Sequence, residues 1–185
     1  MSQIKKVNNA LYTTTIVVHA SMLKQILWYF TNIFFFKNPL IISSSIKVFL
    51  LKVFGAKVGK AVVIKPCVNI KYPWKLSIGN NCWIGEEVWI DNLSDVTIDE
   101  SVTISQGALL LTGSHDHTKE TFDFISLPIV LQYGVWIGAR AVVYGGITCH
   151  THAVLSLNAV AETDLKPYTI YKGNPAVPVL NRVIH

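Results

Sequence analysis

Residues 78–90 read IGNNCWIGEEVWI, and an isoleucine returns in them at every sixth position. The spacing continues on both sides of this stretch, with an aliphatic residue at each step except for one cysteine and one alanine. The positions are Val58, Ile64, Ile70, Ile78, Ile84, Ile90, Ile98, Ile104, Leu110, Leu131, Ile137, Val143, Cys149, Leu155 and Ala161. This period predicts a parallel β-helix, in which each repeat forms one face of a triangular coil and its aliphatic side chain points inward.

The interruptions of the repeat are also regular. The spacing slips by two residues after Ile70 and again after Ile90, and a much longer break follows Leu110. Each break comes after three repeats, which complete one turn of a three-sided coil, so all the breaks leave the same corner. The long break, residues 113–130, is therefore the one extended loop of the repeat region, and loops of this length are usually functional.

The segment before the repeats has a different character. Residues 1–22 show no clear period and are expected to form a flexible or partner-bound tail. Two apolar stretches, residues 23–36 and 41–54, are separated by Asn38-Pro39 and predict two short helices. Neither stretch reaches the about 20 apolar residues that a membrane span needs.

Two interpretations of these helices remain open. A solenoid needs its open end covered, so both helices are expected to cap the first coil. Their aromatic residues, among them Trp28, Tyr29 and residues 34–36, are also typical of a segment that lies on a membrane surface. Lysines within and between the stretches would then favour anionic lipid, and these are Lys24, Lys37, Lys47 and Lys52.

Charge and cysteine content indicate which partners and which cellular compartment to expect. The chain has 16 Lys and Arg against 11 Asp and Glu, a balance that can attract phosphates, anionic glycans or anionic lipid. The basic residues form no cluster with interleaved aromatics, so a nucleic-acid partner is not expected. Cys67, Cys82 and Cys149 form no CxxC pair and are expected to be small buried residues, which favours a reducing, cytoplasmic location. Asn8, Asn9 and three threonines argue against a signal peptide.

Several motifs, taken together, resemble a known family. They are residues 54–59 (FGAKVG), 72–74 (YPW), 83–92 (WIGEEVWIDN), 104–108 (ISQGA), 112–116 (TGSHD), 135–138 (VWIG) and 172–176 (KGNPA). Over residues 24–178 the chain is similar to the hexapeptide-repeat acetyltransferases of exopolysaccharide biosynthesis, in particular the colanic-acid type. The resemblance implies a left-handed β-helix, a homotrimer with active sites between subunits, and acetyl-CoA as the acyl donor.

We therefore predict an all-β fold with an N-terminal helical segment. A left-handed parallel β-helix occupies residues 55–176 and carries the loop 113–130, a tail and apolar helices occupy residues 1–54, and an irregular tail follows over residues 177–185. The predicted activity is acetyl transfer from acetyl-CoA to a sugar hydroxyl in an exopolysaccharide or lipid-linked glycan, with no metal. The predicted location is cytoplasmic, with residues 23–54 as the candidate contact to the inner face of the cell membrane.

Acyl transfer from a thioester to a hydroxyl needs a base, and histidine is suited to this role because imidazole titrates near neutrality. His115 lies where the third coil departs into the long loop. In the resembling family the histidine of the TGSHD segment is the general base, and it maps onto His115. Its neighbours Asp116 and His117 are candidates for binding the acceptor.

Two aspartates are candidates for assisting this base. Leu110 comes one turn after Ile90, so His115 should come one turn after Asp95, and coils about 4.8 Å apart would let that carboxylate orient the imidazole. The resemblance implies instead that Asp91 holds the acceptor hydroxyl. Either aspartate could equally be a corner residue that satisfies turn amides.

The resemblance also implies where coenzyme A binds. Backbone groups of successive coils hold the pantetheine arm, and they map onto Ala139 and Leu157. Trp136 is a candidate for packing near the thioester end, and a wall or trimer-contact role is the alternative. Lys172 precedes the segment that usually meets the 3′-phosphate. The chain departs from the family just beyond it, because Val177 and Leu180 occupy places that are often basic.

Two other classes of function remain as alternatives. One is a zinc-dependent hydratase of the gamma-carbonic-anhydrase type, with His115 and His117 as two ligands and no obvious third, since His150 and His152 fall two coils away. The other is a non-catalytic β-helix scaffold at the membrane surface. The intact segment around His115 argues against the scaffold.

Overall fold

In the computed structural model, which describes residues 6–14 and 18–185, the repeats stack into the predicted three-sided parallel β-helix. The predicted helices precede it. The helical elements are a 3₁₀ turn (Asn9–Leu11), α1 (Met22–Thr31), a π-helical turn that continues it (Asn32–Phe36), α2 (Ser44–Val53) and a 3₁₀ turn inside the first coil-to-coil connection (Pro73–Lys75).

The three faces of the β-helix are parallel sheets. The first face contains β1 (Lys57–Val58), β4 (Leu76–Ile78), β7 (Val96–Ile98), β12 (Ile129–Leu131) and β15 (Thr148–Cys149). The second contains β2 (Val63–Ile64), β5 (Trp83–Ile84), β8 (Thr103–Ile104), β13 (Trp136–Ile137), β16 (Val154–Leu155) and β18 (Thr169–Lys172). The third contains β3 (Asn69–Ile70), β6 (Trp89–Asp91), β9 (Leu109–Leu111), β14 (Val142–Tyr144) and β17 (Val160–Ala161). Two further strands, β10 (Gly113–His115) and β11 (Phe124–Ser126), form a hairpin, and β19 (Val177–Asn181) follows β18.

The predicted aliphatic positions form the core. Ile64, Ile84, Ile104, Ile137 and Leu155 stand in one continuous register on the second face, and all five are buried. The other two faces contribute similar inward rows. Close packing of such stacked layers leaves little room for a change in side-chain size at these positions.

The corners between the first and second faces and between the second and third faces place a left-handed residue three positions after the inward aliphatic. Non-glycine examples are Asn81, Glu87 and Arg140, with φ of 57°, 59° and 56°. Cys67 is another, with φ of 59°, and it is half-buried at a corner. The prediction that it would be a buried residue was therefore wrong, since a corner position turns its side chain away from the core.

The other two cysteines lie inside the coil. Cys82 and Cys149 are buried, and burial raises the pKa of both thiols. All three cysteines are free. Cys82 and Cys149 are therefore the small core residues that the repeat predicted.

The N-terminal helices cap the first coil with polar side chains as well as apolar ones. The Trp28 indole N–H donates to the Ile70 carbonyl at 2.9 Å, and Ser44 both donates to the Ile64 carbonyl and accepts from the Ile64 N–H. The Lys47 ammonium donates to the carbonyls of Ile64 and Lys65 at 3.3 and 2.7 Å. These groups satisfy strand edges that a preceding coil would otherwise satisfy.

The structure of this cap shows that two residues assigned to the membrane contact are buried. Lys47 is fully buried, so it cannot meet lipid, and its burial lowers the pKa of its ammonium. Trp28 is 2% exposed and belongs to the cap. Among the described residues, no helix has both the length and the apolar character that crossing a bilayer requires.

The end of the chain is more ordered than the repeat pattern predicted. Residues 177–181 form β19, which pairs antiparallel with β18, so the prediction of an irregular tail was wrong there. The Arg182 guanidinium donates to the carbonyls of Gly134 and His152 at 2.8 and 3.3 Å. The six-residue repeat did not predict this strand, because the strand pairs antiparallel with the last coil and lacks that period.

Candidate active site

The long break in the repeat is a β-hairpin. It leaves the corner between the third and first faces, and β10 pairs antiparallel with β11 so that His115 lies opposite Phe124. Gly113 begins it because a Cβ there would lie 2.8 Å from Leu93 and 3.0 Å from the Phe124 ring. The hairpin thus places His115 on a paired strand and holds it against the coil.

The tip of the hairpin is braced by charge. Lys119 lies 3.0 Å from Asp123 and 3.8 Å from Asp116, and the Asp116 N–H donates to the Asp123 carbonyl at 2.8 Å. Hydrogen bonds from Thr118 lower the pKa of Asp116. Asp116 is therefore engaged in shaping the turn, while its neighbour His117 is exposed at the tip.

Aromatic rings and one carbonyl hold the His115 imidazole. The ring stacks on Phe122 at 4.4 Å with the planes 4° apart, and the edge of Phe124 lies 5.6 Å away. His115 Nδ1 is 3.0 Å from the Phe122 carbonyl oxygen. A carbonyl can only accept, so Nδ1 carries the proton, and the neutral ring keeps its lone pair on Nε2.

The N-terminal segment reaches this hairpin. The Asn8 N–H donates to the Glu120 carbonyl at 2.9 Å, and the Tyr12 ring lies 5.8 Å from the His115 ring. Sequence reasoning missed Tyr12 because nothing in its surroundings signals a contact so distant along the chain. It also missed Phe122, although the aromatic pair flanking Asp123 was a readable signal beside a candidate catalytic histidine.

The hairpin removes Asp95 from the position predicted for it. The Ile129 N–H donates to the Asp95 carbonyl at 3.0 Å, and Val96 pairs with Ile129. The residue stacked on Asp95 is therefore Pro128, because the chain leaves the coil after Thr112 and rejoins it at Ile129. The predicted stacking of His115 on Asp95 was wrong in register.

Asp91 remains at the corner from which the hairpin departs. Its Oδ1 lies 3.2 Å from Lys71 Nζ, and about a tenth of its side chain, 10%, stays exposed. Thr112, just before β10, donates its hydroxyl to the Asp91 carbonyl at 2.8 Å. Lys71, Asp91 and Leu111 occupy successive coils of one corner, since Ile70 pairs with Ile90 and Asp91 with Leu111.

The residues predicted to meet coenzyme A gather at a different corner, between the second and third faces. Ala139 and Leu157 stack there, because Ile137 pairs with Leu155. The Asn158 N–H donates to the Ala139 carbonyl, whereas the N–H groups of Ala139 and Leu157 have no partner among the described residues. Gly138 makes this corner narrow, since a Cβ there would lie 2.5 Å from the Leu157 nitrogen.

Trp136 and Lys172 border the same corner. Trp136 projects from the second face, 46% exposed, and its indole N–H donates to Ser105 Oγ at 2.9 Å. Lys172 ends β18 and is exposed. A single chain thus carries His115 and the candidate cofactor residues on separate corners.

The structure offers no assembled metal site in the part of the chain that it describes. Over residues 6–14 and 18–185, no three His, Cys, Asp or Glu side chains are grouped as metal ligands. His150 faces Gln132 Oε1 at 3.3 Å, and His152 stacks on Tyr168 at 4.7 Å. Nothing in these contacts favours the zinc-hydratase alternative.

Comparison with known proteins identifies the class. No family model matches the chain. It is 39% identical over 137 residues to the Escherichia coli protein described as "Putative colanic acid biosynthesis acetyltransferase WcaF", covering 74% of this chain and 75% of that one. It is 28% identical over 129 residues to the galactoside O-acetyltransferase of Escherichia coli, covering 68% and 64%. The chain therefore belongs to the hexapeptide-repeat acetyltransferases.

A solved structure agrees on the fold. A hexapeptide-repeat acetyltransferase of Vibrio cholerae complexed with acetyl coenzyme A superimposes with a TM-score of 0.73 and 22% sequence identity. The match covers 79% of this chain and 81% of that one. The two chains thus share the β-helix fold.

Proposed function

We propose that this protein transfers the acetyl group of acetyl-CoA to a sugar hydroxyl in an exopolysaccharide or a lipid-linked glycan. The observation that carries the proposal is the His115 ring, held with its protonated Nδ1 on the Phe122 carbonyl and its Nε2 free to accept a proton. The names of the relatives, one for colanic acid biosynthesis and one for a galactoside, support a sugar acceptor.

The chemistry follows from that geometry. His115 Nε2 takes the proton of the acceptor hydroxyl while the oxygen attacks the thioester carbonyl. The tetrahedral intermediate then breaks its C–S bond, and the leaving thiolate of coenzyme A accepts from His115 the proton that came from the acceptor hydroxyl. Asp91, at the same corner, is proposed to hold the acceptor.

Two chains are proposed to build each site. His115 leaves one corner, and the free N–H groups of Ala139 and Leu157, which suit the amide carbonyls of pantetheine, lie at another. A neighbouring copy can bring the second corner against the first. We therefore propose a homotrimer with three equivalent sites, as expected for a closed ring of identical interfaces.

The outward rows of the three faces support that assembly. The second face carries Val63, Trp83, Thr103, Trp136 and Ile170, with Val154 already buried in the single chain, and the third carries Asn69, Trp89, Leu109, Val142 and Val160. The first face carries Lys57, Ser77, Thr97, Val130 and Thr148. Two mostly apolar faces and one mostly polar face suit a ring in which each copy presents one apolar face to the next.

Peripheral contact with a membrane completes the proposal. Leu23, Leu27 and Phe34 point away from the cap and are 66%, 51% and 60% exposed. No acidic residue precedes Glu86 in the sequence, so this end of the molecule is cationic. An exposed apolar stripe with lysines is suited to the surface of an anionic bilayer.

The test is the polysaccharide itself. A strain lacking the protein is complemented with the wild type or with His115→Ala, and the polysaccharide is analysed by mass spectrometry. We expect one class of O-acetyl group to vanish in the deletion strain and to return only with the wild type. An unchanged acetylation pattern in the deletion strain, or full recovery with His115→Ala, would refute the proposed function.

A further inference from the structure

A cleft separates α1 and its π-helical extension from the first two coils. Its volume is ≈ 720 Å³, a size typical of sites for small organic ligands. Its lining includes Ile26, Tyr29, Phe30 and Ile33 from the helical segment, and Lys71 and Trp89 from the coils. The helical wall is therefore mostly apolar and the coil wall is mixed. Trp28 and Asn32 also line the cleft, and each donates a hydrogen bond to the first coil there.

The charge of the cleft has one sign. Among the described residues that line it, Lys37 and Lys71 are the only ones that are charged at neutral pH, and both are cationic. Lys71 forms an ion pair with Asp91 at 3.2 Å, whereas Lys37 is exposed and has no ion pair with any described residue. A ligand with a hydrocarbon part and an anionic group complements both features of the lining.

The cleft adjoins the corner that carries the candidate base. Lys71 lines it on the first coil, Asp91 lies one coil further, and the hairpin with His115 departs one coil beyond that. Coils are spaced by about 4.8 Å, so a sugar attached to a group at Lys71 can lie across Asp91 toward His115.

We propose that this cleft binds the lipid phosphate end of a lipid-linked acceptor, with the hydrocarbon chain against Ile26 and Ile33 and the phosphate at Lys37 and Lys71. This deepens the proposed function and rests on it, because it names the carrier to which the acetylated sugar is attached. The outer stripe of Leu23, Leu27 and Phe34 lies outside the cleft lining, so membrane contact and lipid binding are separable.

Two matched pairs of variants test the cleft. Ile26→Glu places a carboxylate in the lining, and Leu27→Glu places one on the adjacent outer position, where exposure is similar at 51% against 48%. Lys37→Glu reverses the proposed phosphate contact, and Lys52→Glu reverses an exposed lysine of α2 outside the lining. The probe is monomeric dodecyl phosphate, measured by titration calorimetry on the full chain without acetyl-CoA.

We expect the wild type to bind dodecyl phosphate, and Ile26→Glu and Lys37→Glu to weaken binding about tenfold or more, with both controls within about twofold. Inorganic phosphate and dodecyl maltoside should bind at least about tenfold more weakly than dodecyl phosphate. Equal weakening in all four variants, or equal binding of dodecyl maltoside, would overturn the proposal. A change of subunit number in Ile26→Glu by light scattering would show that a second copy fills the cleft instead.

The outcome is separable from that of the proposed function. His115→Ala should bind dodecyl phosphate like the wild type while losing acetyl transfer. Normal transfer to a sugar combined with no binding of dodecyl phosphate would overturn the cleft alone. If His115→Ala binds dodecyl phosphate normally and retains full acetyl transfer, the cleft proposal is supported and the assignment of His115 as the base is wrong.

Discussion

The His115 imidazole is positioned by its own hairpin. Phe122 supplies both a ring stacked at 4.4 Å and a carbonyl at 3.0 Å from Nδ1, so one residue sets the orientation and the tautomer. The carbonyl is a fixed backbone acceptor, so no carboxylate is needed to keep the proton on Nδ1. This arrangement explains why Asp95 is not needed beneath the ring.

His115→Ala should lower kcat by about 10²–10⁴-fold with little change in coenzyme A affinity, because the base is lost and the other corner is untouched. His150→Ala is the matched control, since His150 lies against Gln132 away from the hairpin. Steady-state kinetics and calorimetric titration of coenzyme A measure the two effects. Turnover close to the wild type in His115→Ala would contradict the assignment.

The helical cap is an element stabilised by its polar contacts. Lys47 is fully buried, and its hydrogen bonds to Ile64 and Lys65 occupy carbonyls at the edge of the first coil. Burial opposes the charged ammonium, but without Lys47 the Lys65 carbonyl would lose this donor, whereas the Ile64 carbonyl would keep the Ser44 hydroxyl. The lysine is therefore a structural part of the cap.

Lys47→Met should lower the free energy of unfolding by about 1–3 kcal/mol, because it keeps the length of the side chain and removes both hydrogen bonds. Lys52→Met, on the exposed side of the same helix, should change it by less than about 0.5 kcal/mol. Urea denaturation followed by circular dichroism measures both. Equal stability of the two variants would mean that the buried ammonium contributes nothing to the cap.

The outer stripe of the same cap gives a separate prediction. Replacing Leu23, Leu27 and Phe34 together by Ser should abolish flotation with anionic vesicles and leave the melting temperature unchanged, because all three are exposed. The control replaces Leu180, Val183 and Ile184, exposed residues at the opposite end of the β-helix. If the wild type fails to float, or if the control loses flotation equally, the stripe is not the membrane contact.

The whole molecule is a prism whose faces differ in polarity. Its second face carries outward tryptophans at positions 83 and 136, each 46% exposed in a single chain. Such rows are stabilised when a neighbouring copy covers them. Assembly would also bring the corner of His115 next to the corner of Ala139 and Leu157.

Val142→Glu, in the outward row of the third face, should dissociate the proposed trimer and abolish activity, because a charge would be buried between subunits. Thr97→Glu, in the outward row of the first face, should leave both unchanged. Light scattering coupled to size exclusion and an acetyl-transfer assay read the two properties. A wild-type protein that is monomeric and active would contradict the trimer.

The sequence alone was sufficient for the coil and its corners. In a solenoid each repeat contacts only its neighbours, so inward positions such as Ile84 and Ile104 follow from a local period. The hairpin's departure point and the family followed from the same residues. Local patterning also predicted both N-terminal helices, since apolar composition and Asn38-Pro39 act within the chain's own neighbourhood.

The tertiary structure alone established what depends on contacts without a period. It buried Lys47 under the cap, paired Val177–Asn181 onto the last coil, and brought Tyr12 to His115. It also stacked Pro128 above Asp95 in place of His115, because an inserted hairpin interrupts the count of residues per turn. Repeats specify neighbours one coil away, whereas contacts between the hairpin, the tail and the cap depend on how distant segments meet in space.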